Sequence, residues 1–172
     1  TTTAHISKKS LTVSSISASN KTYDGNAIAT STITLSGFVG SETLTSSNLS
    51  FFNNKNVGTG KTVTVNSITL ANGTNGGLAT NYSISSGQNT TANITAKALT
   101  VSGITASNKT YDGNAVATLD ATSVVYTGHV AGDDFTGTYT GVFADANVGT
   151  NKTVTITPCL LYTSPSPRDK RQ

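Results

Sequence analysis

The chain has 172 residues, of which 11% are charged and 6% aromatic, and its formal net charge is +3. Threonine supplies about a fifth of the residues, while Met and Trp are missing. This composition excludes a bundle of amphipathic helices, and it favours short strands of β-branched residues joined by tight turns. No segment approaches the roughly 18 consecutive apolar residues of a membrane-spanning helix, so we expect no membrane span in this fragment.

An internal repeat organises the chain. Residues 11–29 recur as residues 99–117, and three aligned pairs differ. The differing pairs are Ser15/Gly103, Ser17/Thr105 and Ile28/Val116. Tyr23 therefore returns 88 positions later as Tyr111, whereas Asn56 returns 91 positions later as Asn147. Two copies of one module are predicted, with three extra residues in the second copy between Ala117 and Gly128.

Residues 1–10 are interpreted as the end of a preceding copy and a linker. The Ile-Ser-Lys-Lys sequence at residues 6–9 parallels Ile-Thr-Ala-Lys at residues 94–97, which close the first full copy. The chain begins at Thr1 without an initiating Met, so we expect it to be a fragment of a longer protein.

Residues 11–97 are predicted to form one complete β module. Apolar residues alternate with polar ones in several short segments, and the alternating pairs are Leu11/Val13, Ile33/Leu35, Val63/Val65, Ile68/Leu70 and Tyr82/Ile84. Asp24-Gly25 and Asn72-Gly73 are turn dipeptides. We expect a small antiparallel β-sandwich of immunoglobulin-like size. The alternative is a mixed sheet with one short helix per module, at residues 41–47 or 133–136.

Residues 98–158 are predicted to form an incomplete second copy. They contain no counterparts of residues 66–97, which supply the last strands of the first copy. A sheet edge and part of a core should therefore remain open, and the second copy should be less protected than the first.

Residues 159–172 differ from the rest in composition. Every arginine and every proline, and the one cysteine, follow Thr157. Residues 159–169 can be back-translated into a sequence that resembles a transposase adapter of shotgun sequencing libraries. We therefore interpret residues 159–172 as translated sequencing adapter; a short Pro/Ser tail is the alternative, and the raw nucleotide read decides between them. Without this tail the chain has eight lysines and seven acidic residues, which give a formal net charge of +1.

Two motifs carry a resemblance to a known family. Lys-Thr-Tyr-Asp-Gly occupies residues 21–25 and 109–113, and Asn-Val-Gly-Thr-x-Lys-Thr-Val occupies residues 56–63 and 147–154. With these motifs, residues 6–158 resemble the YDG/MBG-type repeat of large bacterial surface proteins of the filamentous-haemagglutinin or autotransporter kind. The resemblance implies a tandem all-β module of exported adhesins, and it brings no catalytic residue with it.

The motif residues are predicted to serve turns. They are Tyr23, Asp24, Gly25, Asn56 and Gly58 in the first copy and Tyr111, Asp112, Gly113, Asn147 and Gly149 in the second. We expect Gly25 and Gly113 at positive φ, with the rings of Tyr23 and Tyr111 buried beside the turn.

Chemical sites are not indicated, so we expect neither an enzyme nor a cofactor. His5 and His129 stand outside any motif, and most acidic residues recur at equivalent turn positions in both copies. Whether the chain binds Ca²⁺ is left open by four carboxylates that could supply oxygen ligands, although no calcium-binding loop pattern supports such a site. They belong to Asp120, Asp133, Asp134 and Asp145. Nucleic acid is not an expected partner, because outside the tail no arginine remains and the lysines are scattered.

The functional expectation is a structural and adhesive stalk repeat of a large secreted or surface-anchored bacterial adhesin, located outside the cell or on its surface. Its partners would be neighbouring repeats and a host or neighbour-cell glycan or protein. The alternative is a glycan- or protein-binding β module, which predicts aromatic residues gathered on one exposed loop face.

Overall fold

The computed structural model describes residues 1–163, and this part of the chain is all-β, as the composition predicted. The chain divides into two compact units, the first Thr1–Ala96 and the second beginning at Lys97. Within residues 1–163 no helix is long and apolar enough to cross a membrane.

The first unit contains nine strands and one 3₁₀ turn. They are β1 Lys9–Ser10, β2 Thr12–Ala18, β3 Lys21–Thr22, β4 Ile28–Ala29, β5 Ser31–Ser36, β6 Leu44–Phe52, β7 Gly58–Asn72, the 3₁₀ turn Ala79–Asn81, β8 Tyr82–Ser83 and β9 Asn89–Thr95. The alternative of a short helix at residues 41–47 is wrong, because β6 begins at Leu44.

A five-stranded sheet in the order β3-β9-β7-β6-β4 forms the main layer of the first unit. The pair β2-β5 forms a second sheet, and Ala18 of β2 packs against the core of the main one. The predicted antiparallel pairing holds for the longer strands, and two pairings of two residues each run parallel, β3 with β9 and β1 with β8. Long connections separate the two strands of each parallel pair, which is what parallel pairing requires.

The core of the first unit is a cluster of Ala29, Phe52, Val63, Ala92 and Ile94. Two of these five residues, Ala92 and Ile94, belong to β9. The last strand of the module therefore supplies much of the apolar surface that holds the unit together.

A buried polar group interrupts this apolar interior. Ser50 is almost fully buried, and its hydroxyl hydrogen-bonds the Ser31 hydroxyl at 2.7 Å and the Asn48 side-chain oxygen at 3.1 Å. In the second unit the residues that align with Ser31 and Ser50 are Leu119 and Gly141. A Cβ on Gly141 would lie 2.6 Å from Cδ2 of Leu119, so the leucine occupies the room that the glycine leaves.

The second unit repeats part of this strand order within residues 97–163. Its strands are β10 Thr100–Ser102, β11 Thr105–Ala106, β12 Val116–Ala117, β13 Leu119–Asp120, β14 Val125–Thr127, β15 Asp134–Phe143 and β16 Val154–Thr163. Strands β10 and β11 align with β2, while β13 and β14 align with β5 and flank the three extra residues. The sheet β12-β15-β16 repeats β4-β6-β7. Residues 133–136, the other position of the alternative helix, contain no helix either, since β15 begins at Asp134.

Two segments of the second unit do not form the strands that their counterparts form. Lys109 and Thr110 align with β3, and residues 149–153 align with the start of β7, yet neither segment is a strand. In the first unit both counterparts pair with β9. Between residues 97 and 163 no strand takes the place of β9, so these segments have no ladder to join.

The backbone of β16 continues through residue 163 and pairs with β15 along its whole length, ending at Asp134 opposite Thr163. Residues 159–163 of the interpreted adapter segment therefore extend this strand, and residues 164–172 lie outside the described residues. The adapter hypothesis concerns codons, and it stays a prediction.

Candidate functional site: two lysine-centred loops in each unit

The first loop of each unit, called here the Tyr-Asp-Gly loop, is organised by a lysine. In the first unit it spans residues 21–28, and the Lys21 ammonium donates to the Asn26 carbonyl at 2.9 Å, the Asn26 side-chain oxygen at 3.0 Å and the Ile28 carbonyl at 3.0 Å. Asp24 lies 2.7 Å from the same ammonium. The Lys21 nitrogen also sits 5.8 Å from the centre of the Phe52 ring. Three residues of the loop thus converge on one cation.

The second unit reproduces this loop at residues 109–116. The Lys109 ammonium donates to the Asn114 carbonyl at 2.9 Å, to its side-chain oxygen at 3.0 Å and to the Val116 carbonyl at 3.1 Å, with Asp112 at 2.7 Å. Phe143 lies under the cation at 6.0 Å. The sequence motif therefore specifies the same geometry in both units.

Backbone amides complete the loop. The Asn26 amide donates to the Asp24 carboxylate at 3.2 Å, and the Ile28 amide donates to the Asn26 side chain at 2.8 Å. Short polar side chains that accept from amides two residues further on are typical of tight turns. Lys21 and Asn26, with their counterparts Lys109 and Asn114, were missed as site residues. Their identity in both copies is the signal that could have found them.

The predicted backbone conformation is confirmed, whereas one predicted burial is wrong. Gly25 has φ 82° and Gly113 has φ 77°. Tyr23 is half-buried against the core of the first unit, and its amide donates to the Thr95 carbonyl at 2.9 Å. Tyr111, however, is 63% exposed. Tyr111 has no apolar neighbour equivalent to the one that β9 supplies to Tyr23. Burial of the tyrosine ring therefore depends on a strand that is distant in sequence and not on the turn itself.

Replacing Gly25 by Ala should lower the free energy of unfolding of the first unit by about 1–2 kcal/mol, because a Cβ disfavours the left-handed region. The matched control is Gly58→Ala, where φ is not positive and a new Cβ would meet only the Lys61 side chain at 3.4 Å. We expect the control to change stability by less than about 0.5 kcal/mol in urea titrations. Equal losses in the two variants would contradict the turn assignment.

A second lysine organises the loop between the two long strands of each unit, called here the Asn-Val-Gly loop. In the first unit it spans residues 54–61, where Lys61 donates to the Asn54 side-chain oxygen at 2.6 Å and the Asn56 amide donates to the same oxygen at 3.0 Å. Gly58, predicted to open the loop, lies at the first position of β7. The Phe52 amide donates to the Ala27 carbonyl at 2.7 Å, which places this loop beside the Tyr-Asp-Gly loop.

In the second unit the Asn-Val-Gly loop spans residues 145–152 and uses a carboxylate in place of the amide. Lys152 forms an ion pair with Asp145 and donates to the Asn147 carbonyl at 2.7 Å. The Asn147 amide donates to Asp145 at 2.8 Å. Gly149 precedes the strand, with the Lys152 side chain beside it. Gly60 and its counterpart Asn151 share a positive φ, 59° and 52°, which Asn tolerates better than most residues.

The carboxylates of these loops titrate below their ordinary range. Hydrogen bonds from Lys109 and from the Asn114 amide lower the pKa of Asp112, and the hydrogen bond from Lys152 lowers the pKa of Asp145. Burial alone would raise the pKa of Asp24, but hydrogen bonds from Lys21 and the Asn26 amide outweigh it and lower the pKa. All three acids therefore stay charged and keep their lysines at neutral pH.

Acidification should loosen the Asn-Val-Gly loop of the second unit and spare that of the first. A carboxylate whose pKa is lowered by folding stabilises the fold above its unfolded pKa, and the contribution is lost as pH falls through the folded value. Asp145 follows this rule below its ordinary value of 3.8, whereas Asn54 does not titrate. Between about pH 5 and about pH 2, the amide resonance of Asn147 should shift and that of Asn56 should stay. A parallel shift of both resonances would contradict the assignment.

The two loops of the second unit border an open cleft of about 750 Å³. It is lined by residues 106–111 and 145–152, together with Asn114, Phe143 and Val154. These segments align with the neighbours of β9 in the first unit. The cleft therefore lies where residues 97–163, the described part of the second unit, contain no counterpart of β9.

An aromatic cluster occurs in the second unit. The ring of Phe135 lies 6.0 Å from that of Tyr126 and 6.3 Å from that of His129. The hydroxyls of Tyr126 and Tyr139 share a hydrogen bond, which raises the pKa of Tyr139 to about 12. The aligned positions of the first unit are not aromatic except Phe38, so this cluster distinguishes the copies.

Carboxylates do not converge on a metal position in the described part of the chain. Among residues 1–163, no three or more His, Cys, Asp or Glu side chains lie close enough together to hold an ion. The Ca²⁺ option that Asp120, Asp133, Asp134 and Asp145 left open gains no support from their placement.

Comparison with known proteins identifies one family. The family described as YDG domain matches residues 7–92 and residues 95–165. No match to the chain was found among curated proteins or among solved structures. The two matched segments correspond to the two structural units.

Proposed function

Since the chain belongs to the YDG domain family, we propose that it is a structural and adhesive stalk segment of a large secreted or surface-anchored bacterial adhesin. The observation that carries the proposal is the repetition of one β module in series, with the same lysine-centred loop in both units. Modules repeated in this way set the length of a protein through their number. The working location would be outside the cell or on its surface.

The connection between the units supports a role in spacing. Strand β9 ends at Thr95 and β10 begins at Thr100, so residues 96–99 join the two units. A connection of this length leaves little slack compared with a flexible linker. The proposed mechanism is reach and stiffness, without a chemical step, and the neighbouring repeats are the first partners.

The charge distribution supports a surface that does not attract polyanions. Four lysines are engaged inside their own loops, where they bond to carbonyls and acidic or amide side chains; they are Lys21, Lys61, Lys109 and Lys152. They are half of the eight lysines outside residues 159–172. We therefore propose no nucleic-acid partner, because binding to phosphates requires exposed cations gathered on one face.

The stalk proposal predicts how length depends on repeat number. Additional copies of residues 11–97, joined to the chain in the native order, should raise the maximum dimension in small-angle X-ray scattering by an equal step for each copy. A freely jointed array would lengthen only as about the square root of copy number. Growth of the second kind would overturn the stiffness on which the proposal depends.

A glycan- or protein-binding module is the second candidate, and the aromatic cluster favours it. Tyr126, Phe135 and Tyr139 are partly exposed, and His129 is exposed. Aromatic rings with a polar group at the edge are common in recognition surfaces. Binding to a glycan array that is lost in Phe135→Ala and kept in Phe38→Ala would favour this candidate over a spacer alone.

A further inference from the structure

Two asparagines of the first unit are each followed directly by glycine. They are Asn72, the last residue of β7, and Asn75, which lies in the turn that follows this strand. An asparagine before glycine can lose its side-chain amide without an enzyme, because a residue that has no Cβ lets its backbone nitrogen approach the preceding side chain. The two dipeptides are identical, so any difference between them has to come from the folded structure.

The Asn72 site is held in place on both sides of the reacting bond. The Asn72 side-chain oxygen accepts the Ala79 amide at 2.8 Å, and the Gly73 amide donates to the Gly77 carbonyl at 3.1 Å. The backbone at Gly73 is also closely packed, since a Cβ at this position would clash with the Thr43 carbonyl oxygen. The nitrogen and the side chain that would have to meet are therefore both engaged elsewhere, with little room to move.

Asn75 and Gly76 form the tip of a tight turn. Their φ angles are 57° and 85°, and the Gly77 amide closes the turn by donating to the Thr74 carbonyl at 3.1 Å. Positive φ at both central residues is typical of Asn-Gly hairpin turns. Both residues are exposed, and a Cβ on Gly76 would meet nothing within 4 Å. In the described part of the chain no backbone carbonyl accepts the Gly76 amide, so this nitrogen is not engaged as that of Gly73 is.

We propose that Asn75 is a site of spontaneous deamidation in the folded protein, while the fold protects Asn72. The Gly76 nitrogen attacks Cγ of Asn75, so that a bond from this nitrogen to Cγ forms and the bond from Cγ to Nδ2 breaks. The proton that the Gly76 nitrogen gives up is returned to Nδ2, which leaves as ammonia. Water then opens the cyclic succinimide at one of its two carbonyls and yields aspartate or isoaspartate. The net change is one water consumed and one ammonia released, without oxidation or reduction.

The modification removes a contact between two loops of the first unit. The Asn75 side-chain nitrogen donates to the Ser41 carbonyl at 2.9 Å, and next to it the Thr74 amide donates to the Thr43 hydroxyl at 2.9 Å. An ionised aspartate at position 75 has no hydrogen to donate, and its charge would lie against the Ser41 carbonyl oxygen. Isoaspartate also lengthens the backbone of the turn by one carbon. Deamidation should therefore loosen residues 41–43 from the turn.

The Asp-Gly pairs of the two Tyr-Asp-Gly loops should resist the related cyclisation. Asp24 lies 2.7 Å from the Lys21 ammonium and accepts the Asn26 amide at 3.2 Å, and Asp112 has the equivalent partners in the second unit. These contacts favour the ionised carboxylate. A nucleophile adds poorly to a group that already carries negative charge, so these glycine nitrogens have no reactive carbon beside them.

Peptide mapping by mass spectrometry tests the proposal on the full chain after incubation in mildly alkaline buffer. Residue 75 should deamidate at least about tenfold faster than residue 72, because the Asn72 site must first break two hydrogen bonds. In urea that unfolds the chain the two residues should react at comparable rates, since both precede glycine. Equal rates in the folded chain would overturn the proposal, as would an Asn75 that stays intact there. A difference that persists unchanged in urea would also overturn it, because the fold would then not be its cause.

The variant Asn75→Asp tests the consequence for the two loops. Hydrogen exchange at the Thr43 and Thr74 amides should become at least about threefold faster than in the wild type, because a neighbouring contact is lost. The matched control is Asn89→Asp, which adds the same charge to the same unit. The Asn89 side-chain oxygen accepts the Thr64 hydroxyl at 2.7 Å, and a carboxylate can accept it equally well. Equal exchange at Thr43 and Thr74 in the two variants would overturn the proposed loosening.

Discussion

Replacing Ile94 by Ala is expected to lower the free energy of unfolding of the first unit by about 2–5 kcal/mol, the range for an isoleucine removed from a core. Ile94 is 1% exposed and packs in the cluster with Phe52 and Val63. Its strand, β9, pairs with β3 in parallel on one side and with β7 in antiparallel fashion on the other. The cavity would open between two neighbouring strands, where the surrounding backbone has little room to collapse.

The matched control is Ile28→Ala, because Ile28 belongs to the same unit and is 55% exposed. Its loss should stay below about 1 kcal/mol. Urea unfolding measured by circular dichroism and by tyrosine fluorescence gives both values, and an unchanged slope would show that the denatured state is comparable. Similar midpoints for the two variants would contradict the assignment of the core to β9.

Hydrogen exchange should differ between the two units by about two or more orders of magnitude at aligned positions. The amides of Thr62, Val63 and Ile94 lie in the middle of the main sheet of the first unit and should exchange slowly. Residues 109–111 and 149–152 border the open cleft and should exchange fast. Apart from Ala117, no apolar side chain of the second unit is buried between residues 97 and 159, so local opening there exposes little further surface.

Asn26 and Asn114 serve as internal controls, because both amides donate to an aspartate within equivalent loops. These two amides should exchange at similar rates. Equal protection of residues 21–23 and 109–111 would mean that other residues close the second unit and that the repeat boundary is wrong.

The alternation of apolar and polar residues predicted the long strands, but it did not predict the short ones. Alternation of Thr and Val at residues 62–65 correctly predicted part of β7. A two-residue strand such as β3 has no period to detect, so its parallel pairing with β9 could not be read from the sequence. The turn glycines were predictable, because Asp-Gly restricts the local backbone by itself.

Tyr111 shows where local reasoning ends. Residues 18–27 and 106–115 are identical in sequence, yet the ring of Tyr23 is half-buried and that of Tyr111 is exposed. The difference arises from a strand some seventy residues away in sequence, present in one unit and without a counterpart in the described part of the other. Lys21 was missed as a site residue because a lysine in a charged turn motif is typical of a solvated side chain. Nothing in the sequence indicates that its ammonium donates to backbone carbonyls of the loop.

The first copy has Ser31 and Ser50 where the second has Leu119 and Gly141, and this difference affects whether strands of tandem copies mispair during folding. Neighbouring modules of near-identical sequence can trade strands during synthesis and become trapped as misassembled species. If β6 paired with the first strands of the other copy, Leu119 would face the buried Ser50, whose hydroxyl would lose its bond to Ser31. If β15 paired wrongly, Gly141 would leave a void beside Ser31. The side chains at these two positions therefore favour pairing of strands within one copy over pairing between copies.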